Sequence, residues 1–481
     1  MRDPGRGHGP WNGRRADAAL RRSYADAEPL SYWLDSPDRP EASAPLTGES
    51  TCELAIVGGG LTGLWAALLA KQRDPDRDVV LIERDRIAVA ASGRNGGFMM
   101  SSLTHGISNG QARFPAEMQT LERLGLESFE SILQTLMEHG IDCDLELGGA
   151  LDVAVEPHEL EELEPGAKEL RRFGHDVTVL DREAVRAEVH SPIYLGGLWQ
   201  RSGVALIDPA KLCWGLARAA GALGVRIYEG TPATRLRSVP CAVEIELDAG
   251  RLRAERVLLA TSAFPALVAA ARRRVVPVYD YVLVTEPLSA AQMSAIGWAN
   301  RQGISDLANR FHYYRLTADD RILWGGFDAV YYYASRIDPA LDQREESFAM
   351  LASHLLTAFP QLEGIRFTHR WGGAIDTSSR FFAFYGTALA GRVGYAVGHT
   401  GLGVGASRFA AATGLDLVDG RDTEATRLAA VRSRPLPFPP EPLRWAAIEL
   451  TRSSMAAADE RQGRRGPWLR ALDRAGLGFD S

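Results

Sequence analysis

Apolar residues along this 481-residue chain follow two patterns. Short unbroken runs, ELAIV (Glu53–Val57) and VVLIE (Val79–Glu83), are those of strands buried on both faces. Between them Leu61–Gln72 is apolar, alanine-rich and free of proline, which predicts a helix. Strand, glycine turn, helix and strand form a βαβ unit with a right-handed crossover. Further along, aromatic residues alternate with polar ones, as in an antiparallel sheet with one covered face. Strands are predicted at Val225–Tyr228, Ala242–Leu247, Val257–Ala260, Val275–Val284, Phe311–Leu316, Ile322–Phe327 and Tyr395–Val397. Helices are predicted at Ala116–His139, Asp208–Leu223, Arg344–Phe359 and Val404–Val418. His158–Phe173 is helical in pattern, with Pro165 expected to break or kink it.

The strands near residues 225 and 395 read as the βαβ domain resuming, so two domains should interleave. The fold class expected is α/β. A nucleotide-binding domain over 50–105, 206–270 and 366–432 alternates with an α+β domain over 106–205 and 271–365. Residues 1–30, rich in Gly, Arg and Pro, read as a disordered basic tail. Residues 433–481 form a C-terminal extension that opens with RPLPFPPEP, which is neither helix nor central strand. Its WLRALDRAGLGF segment could form a short amphipathic helix.

A net charge of −7 argues against a general nucleic-acid binder. The four cysteines show no C-x-x-C spacing, so no metal site is expected and the thiols should be reduced. No run is long enough for a membrane span, and the N-terminus lacks the apolar core of a signal peptide, which makes a cytoplasmic protein the expectation.

VGGGLTG places G-x-G-x-x-G at Gly58, Gly60 and Gly63, directly after a strand and opening a helix. The first glycine permits the tight turn, the second the approach of a pyrophosphate, and the third close helix–strand packing. Leu61 and Thr62 begin the helix whose free N–H groups face the anion. Glu83 ends the second strand at the position of a ribose-binding carboxylate, with Arg84 beside it, and disfavours NADP. FAD and NAD remain. The next segment, AASGRNGGF (Ala90–Phe98), favours FAD. Ala91, Ser92, Arg94, Asn95, Gly96 and Gly97 supply donors and room along a longer cofactor with a flat ring. YAVGHTGLGVGASRFAA (Tyr395–Ala411) adds a second glycine-rich turn and helix N-terminus, suited to the negative charge of a reduced flavin.

With SYWLDS (Ser31–Ser36), VLLATSAF (Val257–Phe264), VLVTEPL (Val282–Leu288), YYRLTADDRILWGG (Tyr313–Gly326) and RWGG (Arg370–Gly373), these motifs resemble the D-amino-acid-oxidase/glycine-oxidase family. The resemblance is closest to its bacterial gamma-glutamylputrescine oxidoreductase-like branch. It implies a glutathione-reductase-like FAD domain interleaved with a substrate domain on an antiparallel sheet. It also implies that Ala233 contacts adenine and that His399, Thr400, Gly401, Leu402, Gly403 and Val404 cover the flavin's pyrimidine end. Covalent relatives carry a histidine or cysteine at the attachment point, and ASGRNGG has neither, so FAD is expected to be non-covalent. Sarcosine-oxidase-type members place a lysine near the flavin ring. None of the three lysines here (Lys71, Lys168, Lys211) falls in the substrate-domain strands.

The implied reaction is hydride transfer from the carbon next to nitrogen of an amine or N-alkyl amino acid, giving an imine that hydrolyses. Oxygen or another acceptor then reoxidises the flavin. Pocket candidates are Tyr281, His312, Tyr313, Trp324 and Trp371, with Arg315 and Arg370 as candidate carboxylate binders. Alternatives are an NAD(P)H-dependent flavin monooxygenase and a non-catalytic flavin-binding subunit of a larger complex.

Overall fold

Four parallel neighbours carry the first sheet. In the computed structural model, which describes residues 9–12 and 17–478, Gly48–Val57 lies at its centre. It is flanked by Val79–Ile82 on one side and Gly250–Leu259 on the other. Arg226–Tyr228 extends the first edge and Val393–Val397 the second, both in parallel, and Phe384–Ala388 closes the far edge antiparallel. The runs Leu54–Val57 and Val79–Ile82 are wholly buried because helices cover one sheet face and the antiparallel strands Ala233–Val239 and Ala242–Leu247 pack against the other. The helix Leu61–Arg73 packs there with Pro209–Ala222 and Gly403–Val418.

The second sheet has nine strands, and all but one of its pairings are antiparallel. Its axis is a long ladder between Val275–Thr285 and Phe367–Ser378. Because Phe367–Ser378 pairs here, residues 366–378 belong to the second sheet and not to the nucleotide-binding sheet as expected. The chain therefore crosses between sheets several times, and the interleaved α/β and α+β architecture is as expected.

Three other expectations are corrected. Residues 17–30 are not disordered: Asp17 caps the helix Ala18–Ser23, and Leu20, Tyr24 and Ala27 are buried in the core of the second sheet. The rest of the expected tail up to residue 16 lies outside the described residues, apart from 9–12. Pro165 does not break its helix, which runs unbroken over Leu160–Arg172. Pro165 and Glu161 are both exposed, so the carbonyl that loses its partner can turn to water. The helix Met118–Glu138, expected with the second domain, shares a core with Leu64 and Leu68 through Phe129, Ile132 and Leu136.

The C-terminal extension is irregular over 434–440, as its prolines require. It then forms an unexpected helix, Leu443–Asp459, followed by the expected short one at Pro467–Arg474. The four cysteines are free thiols, and no helix among the described residues is long and apolar enough to cross a membrane.

Candidate active site

One cavity of about 1580 Å³ runs from the first glycine turn to the inner face of the second sheet. Ordinary small-molecule sites occupy roughly 300–1,000 Å³, so this one has room for a dinucleotide and a substrate together. Gly58, Gly60, Leu61, Thr62, Glu83, Arg84, Ala91, Ser92, Arg94, Asn95, Gly96, Ala233 and His399–Val404 all line it. Gly63 and Gly97 stand behind the wall and shape it.

The glycine turn is built by sterics. Gly58 has φ +118°, and a Cβ there would sit 2.4 Å from the Ala260 carbonyl oxygen. A Cβ on Gly63 would sit 1.9 Å from the Gly58 carbonyl oxygen. At Gly60 the obstacle is a side chain, Ser92 Oγ at 2.7 Å. That hydroxyl accepts from the Leu61 N–H at 3.0 Å and marks the anion position at the helix N-terminus. Glu83 accepts from the Gly59 N–H at 2.6 Å and the Asp85 N–H at 2.9 Å, so it also braces the turn. Its burial pushes its pKa above the usual carboxylate range. Arg84 lies 4.1 Å over the Phe264 ring. A backbone cradle without side chains, a helix N-terminus and a carboxylate along one wall fit FAD.

The segment Ala90–Phe98 is held from behind. Ser31 Oγ donates to the Gly93 carbonyl at 2.7 Å, Trp371 Nε1 to Arg94 at 2.9 Å and Trp33 Nε1 to Asn95 at 2.8 Å. Asn95 closes the turn with its own amide, donating to Ala91 and Ser92 and accepting from the Gly97 N–H. Arg94 Nε donates to the Val89 carbonyl at 2.8 Å, and Nη1 bonds Asp342 and the Gly372 carbonyl. Its guanidinium, expected at the flavin or its phosphates, thus pairs with the 3-10 turn Pro339–Asp342 and reaches the second sheet at the Gly372 carbonyl. At the second turn, His399 sits between Thr62 Oγ1 (3.3 Å) and Asp376 Oδ2 (3.4 Å), and Asp376 also accepts from the Gly398 N–H.

Of the pocket candidates, only Tyr313 lines the cavity. Its ring backs Gly96, where a Cβ would lie 2.7 Å from Cε2. Strand alternation sends its neighbours His312, Tyr314 and Leu316 to the opposite face. There Trp324 stacks on Tyr314 with centroids 4.1 Å apart, and Tyr281 bonds Tyr332 and the Leu341 carbonyl. His312 is wholly buried between Asp306 (2.6 Å) and His354 (2.9 Å), and burial lowers its pKa to about 3. Trp371 anchors the loop from behind. Arg370 faces Glu345 at 3.8 Å, outside the cavity lining. Arg315 donates to the Ile207 and Leu316 carbonyls, so it is a brace with no free fork for a carboxylate.

Sequence reasoning missed Asp280. It lines the cavity on Val275–Thr285, accepts from the Tyr313 hydroxyl at 2.5 Å and from the Tyr281 N–H at 2.7 Å, and burial pushes it up to about 6. A single acid inside the apolar run VVPVYDYVLVT was the available signal. The role of the C-terminal extension was missed as well. Phe438, Ile448, Met455, Trp468 and Leu469 roof part of the cavity. No lysine is among the cavity-lining residues.

A family model described as FAD dependent oxidoreductase (DAO) matches residues 53–414. The chain is 33% identical over 421 residues to gamma-glutamylputrescine oxidoreductase of Escherichia coli strain K12, covering 85% of this chain and 93% of that one. Among solved structures, glycine oxidase from Geobacillus kaustophilus superposes with a TM-score of 0.67 at 20% identity, covering 80% of this chain and all of that one. L-Proline dehydrogenase from P. horikoshii superposes with a TM-score of 0.65 at 16% identity, over 79% of this chain and 96% of that one.

Proposed function

The chain belongs to the DAO family of FAD-dependent oxidoreductases and oxidises a C–N bond; we propose that its substrate is an amine or N-alkyl amino acid held by Asp280 and Tyr313. The single observation behind this reading is the Tyr313–Asp280 pair on the cavity wall beside Gly96. A carboxylate there suits a cationic amine, and no arginine of the expected carboxylate-binding kind lines the same spot.

FAD, held without a covalent bond by the Gly58–Thr62 turn, Glu83, Ser92, Asn95 and the His399–Val404 turn, supplies the acceptor for a hydride. The protein's task is to present a neutral amine in a dry site. Ionised Asp280 attracts the ammonium and takes one of its protons, which frees the nitrogen lone pair. The C–H bond next to nitrogen then breaks with its electron pair leaving as hydride, while the lone pair forms the C=N bond. Tyr313 holds the Asp280 carboxylate in place through its hydroxyl. Val276, Val278, Val282 and Phe327 keep the reacting end apolar. Water hydrolyses the imine after release.

We also propose that the first sheet with its helices binds the cofactor and the second sheet forms the substrate wall. A dye or quinone accepts the electrons better than oxygen does. The test is anaerobic mixing of the yellow protein with a panel of amines and amino acids, followed at the flavin absorbance. Bleaching by an amine is expected. A flavin that no amine reduces would remove the reading.

A further inference from the structure

The register of the second sheet lines up three side chains that face the cavity. Asp152 pairs with Ser305, and Ser305 pairs with Tyr313. Directly paired residues share a face, and all three line the cavity. With neighbouring strands about 4.8 Å apart, Asp152 stands about 10 Å from Tyr313 across the sheet.

The neighbouring carboxylates are engaged. Asp280 holds Tyr313, Asp306 holds the His312 ring and backbone N–H, and Asp328 is bonded by Arg344, Ser347 and Arg452. Among the described residues Asp152 has no hydrogen-bond or ion-pair partner, and the charged group acting on it is a second carboxylate, Asp306. Burial is the larger cause of its raised pKa, about 6. A partly buried carboxylate that opens into the cavity with no basic partner favours a cation beside it. Arg310, the basic side chain of the adjoining loop, is already paired with Asp459. A cationic group of a ligand would fill the place that no basic side chain among the described residues takes, and the cavity connects Asp152 to the Tyr313–Asp280 pair.

We propose that Asp152 binds a second cationic nitrogen of the substrate, several bonds from the nitrogen that is oxidised. The substrate class is then a diamine or a longer amine with a distal ammonium. This rests on the amine-oxidation reading of the same cavity and names its specificity.

The experiment titrates FAD-loaded protein with hexamethylenediamine and with hexylamine, reading each Kd from the perturbed flavin spectrum under anaerobic conditions. A charge-assisted contact predicts about tenfold or greater preference for the diamine. Asp152→Asn should bring the ratio of the two affinities to about one, and Asp152→Glu should restore most of the preference. Asp152→Lys should invert it towards aminohexanoate, whose distal group is a carboxylate. Equal affinities in the wild-type protein, or a preference that survives in Asp152→Asn, would overturn the proposal. Should the preference depend on Asp152 while no amine reduces the flavin, the cation site stands and the oxidation reading falls.

Discussion

Arg94 and Asp342 form an ion pair that ties the cofactor-facing loop to the 3-10 turn Pro339–Asp342. The guanidinium is three-quarters covered, at 24% exposure, and the carboxylate is at 16%. Nothing in this pair touches the glycine turn, so its influence on the cofactor passes through the position of residues 93–97.

Arg94→Ala should therefore weaken FAD retention, and Asp342→Asn should do the same. Each loosens the loop, and the double variant should be no worse than the worse single one. A coupling energy of about 0.5–3 kcal/mol is expected from a double-mutant cycle on urea unfolding of the holoprotein. Strictly additive effects would mean that Arg94 acts on the cofactor alone.

Gly60→Val should yield folded but colourless protein. A Cβ there meets the Ser92 side chain, with Oγ at 2.7 Å, so the valine crowds the anion position. Gly58→Val instead meets the Ala260 backbone at a φ of +118° and should cost the fold itself. Flavin absorbance per protein, beside a circular-dichroism melt, separates the two outcomes.

The Tyr313–Asp280 pair sets a pH dependence. Burial raises Asp280 to about 6, so its ionised form, needed to receive the amine's proton, accumulates as pH rises through that value. The kcat/KM profile should show a rising acidic limb near pH 6. In Asp280→Asn that limb should vanish and the remaining activity should fall about 10²-fold or more. Stability runs the other way. A carboxyl whose folded pKa is raised binds more protons folded than unfolded, so its contribution falls between about pH 4 and 6. Asp280→Asn should remove that fall, which Tm against pH will record.

Electron transfer to oxygen should be slow. Lys71 bonds the Pro75 and Arg77 carbonyls, Lys211 bonds Asp144, and Lys168 lies on an exposed helix position. With a saturating amine, turnover with a phenazine dye should exceed turnover in air-saturated buffer. Equal rates would require another oxygen-activating group in the cavity.

The cofactor half could be read from the sequence because its constraints are local. Gly58, Gly60 and Gly63 are required by clashes within one turn, and the strand Ala242–Leu247 occupies the residues its alternation indicates. The substrate half could not be read in the same way. Alternation along Phe311–Leu316 divides Tyr313 from His312 and Tyr314 but does not say which face meets the cofactor. Large rings filled the core face, as at Trp324 and Tyr281, while the cavity face took the smaller acids Asp280 and Asp152. Arg315 was chosen for its charge, and its low exposure of 1% reflects a bracing role that depends on Ile207, distant in sequence. The Leu443–Asp459 helix was missed because its burial comes from covering a cavity, which leaves a weak stripe of small and mixed residues.

That roof has an evolutionary consequence. The match to the family ends at residue 414, whereas Phe438, Ile448, Met455, Trp468 and Leu469 all lie beyond it. Part of the wall around the bound molecule is thus written on a stretch of chain outside the one that carries the redox chemistry. Insertions, swaps or drift in the last fifty residues can retune what enters without disturbing the redox machinery. Two family members with equally good cofactor halves can therefore be tuned to unlike metabolites, and inheritance of the reaction carries no promise of inheritance of the substrate.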